Sequence, residues 1–190
     1  DIVMKWDWMN SGKDGIYYDV ETQRNSITYR SNMARLADSL VKENKEQKAE
    51  EVLDLAMEKM PIEHFGYYTL VNPIIEVYYK IDKKEKAREI WQKVAEKYQE
   101  KLRYFGSLSY EHQSDLVDEI SSEIQRYRAL VDLLLYVQDD EMMQIEAEKF
   151  NSYLELFSYG EAEEEPTEED LIKQFIEDSD SADSDTISNE

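Results

Sequence analysis

Ala49-Glu50-Glu51-Val52-Leu53-Asp54-Leu55-Ala56-Met57-Glu58-Lys59-Met60 carries the clearest periodicity in the chain. Its small and apolar residues, Ala49, Val52, Leu53, Ala56, Met57 and Met60, advance by three and four, the interval of one helical face. The same steps recur 38 residues later in Ala87, Ile90, Trp91, Val94, Ala95 and Tyr98. A charged turn precedes each run, Asn44-Lys45-Glu46 and Asp82-Lys83-Lys84. Before each turn lies a second apolar face, Met33, Leu36, Ala37 and Leu40 in one copy, Val71, Ile74, Ile75 and Tyr78 in the other. Two helices repeated at this period are the signature of a helical solenoid.

The first copy resembles the tetratricopeptide pattern, with Met33, Leu36, Ala37, Leu40, Ala49, Leu53 and Ala56 followed by Pro61. Ala37 and Ala49 lack bulk, so two antiparallel helices can approach, while Leu40 and Leu53 fill the space between them. Pro61 has no amide hydrogen to continue the helix and ends the unit. The second copy is degenerate, with Ile75 in place of Ala37 and Gln99 in place of the proline. A third pair is expected from about residue 115 to 137, on Leu116, Ile120, Ile124, Tyr127, Val131 and Leu134. After a break at Gln138-Asp139-Asp140, its second helix carries Met143, Ala147, Phe150, Leu154 and Phe157. At the front, Asp19 is expected to cap a helix from Val20 to about Glu43. The expected fold is therefore all-α, a tetratricopeptide-like helical-hairpin solenoid of about three antiparallel pairs over residues 19–159. Residues 1–18, with Trp6, Trp8, Tyr17 and Tyr18 among glycines, read as an irregular segment packed by its aromatics.

Charge divides the chain differently. Its 190 residues hold 44 acids and 22 bases, for a net of −22, but residues 161–190 alone carry 13 acids and one lysine. Residues 160–190 thus form an acidic tail. Within it, Thr167 and the acids that follow start a short amphipathic helix at about 167–177, whose apolar face is Leu171, Ile172, Phe175 and Ile176. The natural reading is that this face docks on its own domain; a partner-binding helix is the alternative. The remaining −10 on the body still excludes nucleic acid, since a nucleic-acid binder must displace counterions with a basic surface. The longest apolar run, Leu130 to Val137, contains Asp132 and is far too short to enter a bilayer. Zero cysteines exclude disulfides, a thiol nucleophile and thiolate metal sites.

Catalytic chemistry is not expected. His64 and His112 are the sole imidazoles and lack helical ligand spacing, so neither a metal nor a cofactor is assigned. Ser11-Gly12-Lys13 lacks the upstream glycine of a phosphate loop. By tetratricopeptide geometry the inner face would hold Ala34, Asp38, Val41, Asn72, Glu76 and Tyr79, the candidate groove for a protein or peptide. Ala34 and Asp38 occupy positions where some such domains hold acidic peptide C-termini with basic and asparagine side chains, so that ligand class is disfavoured. Asp180-Ser181-Ala182 and Asp185-Thr186-Ile187 match a short bacterial O-glycosylation signal, making Ser181 and Thr186 candidate acceptors, although such tripeptides arise easily in an Asp/Ser-rich tail.

Three stretches carry a wider likeness. They are Asn32-Met33-Ala34-Arg35-Leu36-Ala37 through Pro61; Tyr67 to Trp91 with Pro73-Ile74-Ile75-Glu76-Val77-Tyr78-Tyr79; and Tyr104-Phe105-Gly106-Ser107-Leu108-Ser109 through Leu130. Together they resemble the C-terminal soluble region of a family of bacterial multi-spanning membrane proteins. The membrane part of those proteins looks like a glycosyltransferase of the protein O-mannosyltransferase type. The resemblance implies an extramembrane appendage on the periplasmic side of the inner membrane, with a cytoplasmic location still open. It implies too that any glycosyl transfer lies outside this chain. The expected function is a non-catalytic interaction module that binds a protein or peptide, its own membrane domain included, or positions substrate. The alternative is an enzyme acting on a glycan or lipid-linked sugar through groove carboxylates.

Overall fold

The structure, a computed structural model, describes residues 3–66 and 70–157, and these contain helices and turns without strands. Asp1–Leu154 form one compact unit; Glu155–Glu190 form a second, of which a short 3-10 turn at Glu155–Phe157 is described. The sequence-predicted helix at 167–177 with Leu171, Ile172, Phe175 and Ile176, and the candidate acceptors Ser181 and Thr186, lie outside the described residues.

Among the described residues eight α-helices follow in order: α1 (Val20–Lys42), α2 (Glu46–Lys59), α3 (Ile62–Phe65), α4 (Asn72–Lys80), α5 (Lys84–Gly106), α6 (Tyr110–Asp115), α7 (Val117–Tyr136) and α8 (Asp140–Leu154). Three hairpins dominate, α1 with α2, α4 with α5, and α7 with α8. Between hairpins, α4 touches both α1 and α7, and α5 packs against α7 and α8. Asp19 caps α1 as expected, its Oδ1 accepting from the amides of Glu21 at 2.9 Å and Thr22 at 3.1 Å.

One turn is used three times. Asn44, Asp82 and Gln138 each take a left-handed conformation, with φ of 58°, 58° and 59°. The next residue's amide then reaches back five positions: Lys45 to the Leu40 carbonyl, Lys83 to Tyr78 and Asp139 to Leu134, each at 2.9 Å. This satisfies carbonyls that the helix end would leave open and folds the chain into an antiparallel partner. The first two turns stand 38 residues apart; the third comes 56 after the second. The added length lies in α5, which lacks a proline where Pro61 ends the first unit and so runs on for 23 residues, and in α7, with 20 residues against 9 in α4.

The core follows the small residues. Ala37, Ala49, Leu53 and Ala56 are fully buried, so α1 and α2 approach closely. Leu40 is half-buried and Leu36 exposed, so neither fills the space between α1 and α2 as fully as Leu53 does. Trp91 is fully enclosed, and its indole Nε1 donates to the Leu130 carbonyl at 2.8 Å, tying α5 to α7. Tyr127 joins the same layer: its ring lies 5.8 Å from Tyr98 and 5.2 Å from Phe150, and its hydroxyl accepts from Gln99 Nε2. Burial pushes that hydroxyl up to about 12. Each such side chain contributes about 1.5–3 kcal/mol by leaving water. Exposed ion pairs such as Lys97–Glu100 are worth about 0–1 kcal/mol, so packing decides the fold.

The third hairpin departs from expectation on its second helix. The buried face of α8 is Met142, Glu146 and Phe150, whereas Met143 and Ala147 are half-buried and Phe157 lies beyond the helix. Lys149 Nζ donates to Glu146 Oε1 at 2.7 Å and offsets the charge that made position 146 look solvent-facing. Among the described residues, no helix is long and apolar enough to cross a membrane.

Candidate functional site

The N-terminal segment is clamped onto the end of α2. Gly12 has φ +86°, and a Cβ there would collide with the Glu58 carbonyl, so only glycine lets the two backbones meet. Ser11 Oγ donates to the Lys59 carbonyl, and the Gly12 amide donates to the Tyr18 hydroxyl at 2.9 Å. Tyr18 lies 4.4 Å from the ring of Phe65 and stacks near His64, which meets Asp14 at 3.1 Å.

Beneath this clamp Arg30 is 1% exposed. Among the described residues no carboxylate forms an ion pair with it. Its guanidinium instead donates to the carbonyls of Met60, Pro61 and Gly66, where α2 and α3 end. A cation at a helix C-terminus meets the negative end of the helix dipole, and the fork shape lets one side chain serve three acceptors. Burial pushes Arg30 down to about 10, with Glu63 acting in the opposite sense. It remains charged at neutral pH.

These two fixtures frame a cleft of 680 Å³ between residues 6–18 and α1. Trp6 and Trp8 sit 5.5 Å apart and both contact Tyr29 of α1, at 5.9 and 6.3 Å. Met60 and Phe65 line its base, and Thr22, Asn25 and Ser26 supply a polar strip along α1. Among its lining residues the one ionisable carboxylate is Asp7, whose Oδ1 accepts from the Met9 amide. The Trp8 Nε1 is shut away from water without a hydrogen-bond partner among the described residues. A concave, largely aromatic site with a few polar edges and no lysine or arginine suits an apolar or aromatic group.

The groove read from sequence is assembled in part. Ala34, Asp38 and Glu76 do line one shallow groove of 430 Å³ between α1 and α4. Its acids are engaged: Asp38 meets Lys42 at 2.6 Å and Lys80 at 3.0 Å, and Glu76 meets Lys80 at 2.7 Å. Hydrogen bonds from Lys42 and Lys80 hold the Asp38 carboxyl below its usual range. Val41 and Asn72 are half-buried outside that lining, and Tyr79 is committed to Asp139, its hydroxyl donating to Oδ2 at 2.7 Å. Burial, reinforced by that bond, raises the Tyr79 hydroxyl.

Trp6 and Trp8 do pack the N-terminal segment, as its sequence suggests, but Tyr29, the ring both rest against, was not among the residues singled out. The available signal was the density of aromatics before α1, which points to packing without saying against what. His64 and His112 stay apart, and His112 Nδ1 pairs with Ser109 Oγ at 2.8 Å. Among the described residues no group of three histidine or acidic side chains converges as a metal-ligand set. Compared with known proteins, the chain matches no family model, no curated protein and no solved structure.

Proposed function

We propose that the chain is a non-catalytic helical-repeat interaction module, a tetratricopeptide-like solenoid of about three hairpins whose aromatic cleft receives an apolar side chain of a protein or peptide. The thrice-used turn at Asn44, Asp82 and Gln138 supports the repeat, together with the contacts that run from α1 to α4 to α7. The observation that carries the binding reading is the cleft at Trp6, Trp8 and Tyr29, which is open, aromatic and free of basic side chains. It replaces the groove at Ala34 and Glu76, whose acids are already neutralised by neighbouring lysines. In this reading the module is the extramembrane appendage of a membrane glycosyltransferase-like protein, on the periplasmic side, as the family resemblance implies. It holds a partner or positions substrate while any glycosyl transfer occurs elsewhere.

Panning a random-peptide display library on the full chain tests this. Selected peptides should carry aromatic or branched aliphatic residues. Their binding should fall at least tenfold in Tyr29→Ala and survive in Glu76→Gln. Selection of no sequence, or binders indifferent to Tyr29→Ala, overturns the proposal.

A further inference from the structure

The aromatic cleft has more room than one apolar side chain fills. Its 680 Å³ lies in the range that encloses a drug-sized ligand. Met60 and Phe65 at the base are 2% and 4% exposed and suit the apolar group, but the mouth is built differently. There the ring centroids of Trp6, Trp8 and Tyr29 form a triangle of 5.5, 5.9 and 6.3 Å, with planes tilted by 50°, 80° and 72°. Rings so tilted do not stack shut, and Trp6 and Tyr29 stay 40% and 46% exposed. An aromatic face attracts a cation within about 6 Å of its centroid, indole most strongly. These centroids are close enough for one cation to reach more than one of them.

The polar lining distinguishes between cations. Asp7 is its single charged side chain, and Asp7, Asn10 and Asn25 carry its carboxylate and amide oxygens. Asn10 Oδ1 is taken by Lys13 Nζ at 2.9 Å, and Lys13 itself does not line the cleft. Asp7 Oδ1 accepts from the Met9 amide at 2.8 Å. Asp7 Oδ2 and the Asn25 carboxamide have no partner among the described residues. A quaternary ammonium has no N–H to offer these acceptors, and a lysine ammonium is strongly hydrated. A guanidinium is planar and weakly hydrated, so it can lie on a ring and still donate from its edge.

We propose that the mouth of the cleft takes an arginine of the partner peptide, beside the apolar residue held at the base; this rests on the cleft being a peptide site and names its second determinant. The guanidinium lies against Trp6, Trp8 and Tyr29 and donates to Asp7 Oδ2 and Asn25 Oδ1. The net charge of −10 on residues 1–160 favours the approach of such a peptide at low salt.

NMR titration of the full chain with N-acetyl-phenylalanyl-arginine amide, and with its citrulline counterpart of the same shape and no charge, tests the proposal at about 50 mM salt. Both peptides should shift the signals of Trp6, Trp8 and Tyr29, and the arginine form should bind at least about threefold more tightly. Asp7→Asn keeps an oxygen for the Met9 amide, so it should leave the citrulline peptide's affinity unchanged and reduce the preference for arginine. Equal affinities in the parent, or a preference undiminished by Asp7→Asn, would overturn the arginine assignment and leave the cleft a site for apolar side chains. No saturable shift at the cleft with either peptide would overturn the peptide site and the arginine with it.

Discussion

Arg88 holds Asp139 with two hydrogen bonds, Nε to Oδ2 at 2.7 Å and Nη2 to Oδ1 at 2.6 Å. The Tyr79 hydroxyl and Lys84 complete the set, so every side-chain partner comes from the α4–α5 hairpin while Asp139 belongs to the turn into α8. The carboxylate is 1% exposed. Lys45 and Lys83 occupy the same position in the other two turns, and neither makes a side-chain cap. One buried acid thus locks the third hairpin to the second.

Removing either partner should be costly, and unequally so. Asp139→Asn leaves Arg88 partly exposed and able to rehydrate, so the loss is about 2 kcal/mol, as for hydrogen bonds to charged groups. Arg88→Met leaves a buried carboxylate with one lysine and one hydroxyl, and should cost about 3 kcal/mol or more. Urea denaturation of both variants reads the order directly; the reverse order would contradict the role assigned to burial.

The same site sets an acid limit. The Arg88 hydrogen bonds, helped by Tyr79 and Lys84 and opposed by burial, hold Asp139 below its ordinary 3.8. A depressed folded pKa means the unfolded chain takes up the proton first as pH falls. The stabilisation is therefore present above 3.8 and drains as pH drops through that value toward the folded one. Urea midpoints taken across this range should fall more steeply for the parent than for Asp139→Asn. Parallel slopes would contradict it.

Arg30 is the corresponding fixture beneath the cleft. Arg30→Met strands the carbonyls of Met60, Pro61 and Gly66 and should cost about 3 kcal/mol. Arg30→Lys should recover part of this, because an ammonium cannot span three acceptors as the planar fork does. Thermal melts of the three proteins should rank arginine, lysine, methionine; equal melts for lysine and methionine would remove the hydrogen-bonding account.

Gly12→Ala should open the clamp without unfolding the body. The added Cβ meets the Glu58 carbonyl and the left-handed backbone opposes it, for a local cost of about 1–3 kcal/mol. Hydrogen exchange at the Gly12 position should accelerate while Trp91 and its neighbours stay protected. Uniform acceleration throughout would show that the segment and body open together.

The helices most legible in the sequence were those whose faces repeat without interruption. Ala49 to Met60 and Ala87 to Tyr98 needed nothing beyond their own spacing, and Asn44 and Asp82 marked their turns. The third turn was marked as well, at Gln138-Asp139-Asp140, but its lock was not, because Asp139 reads as one more acid until Arg88, 51 residues earlier, is brought beside it. The α8 face was misread for a related reason: Glu146 is buried beside Lys149, a combination that polarity patterns assign to solvent. Tyr79 left the candidate groove because its hydroxyl answers to a residue 60 positions on. The cleft had no period at all. Its shape comes from Gly12 meeting Glu58 and from Trp6 and Trp8 meeting Tyr29, long-range contacts that no local rule encodes.

A partner that enters at the aromatic cleft does so through its apolar or aromatic side chain, so a small aromatic molecule should bind there by itself. Titrating isotope-labelled full chain with p-cresol, a minimal aromatic side-chain mimic, and following amide and indole NMR signals tests it most directly. Saturable shifts should centre on Trp6, Trp8, Asn25 and Tyr29 and be lost in Tyr29→Ala. Shifts centred instead on Ala34, Asp38 and Glu76, or no saturable shift at any site, would contradict it.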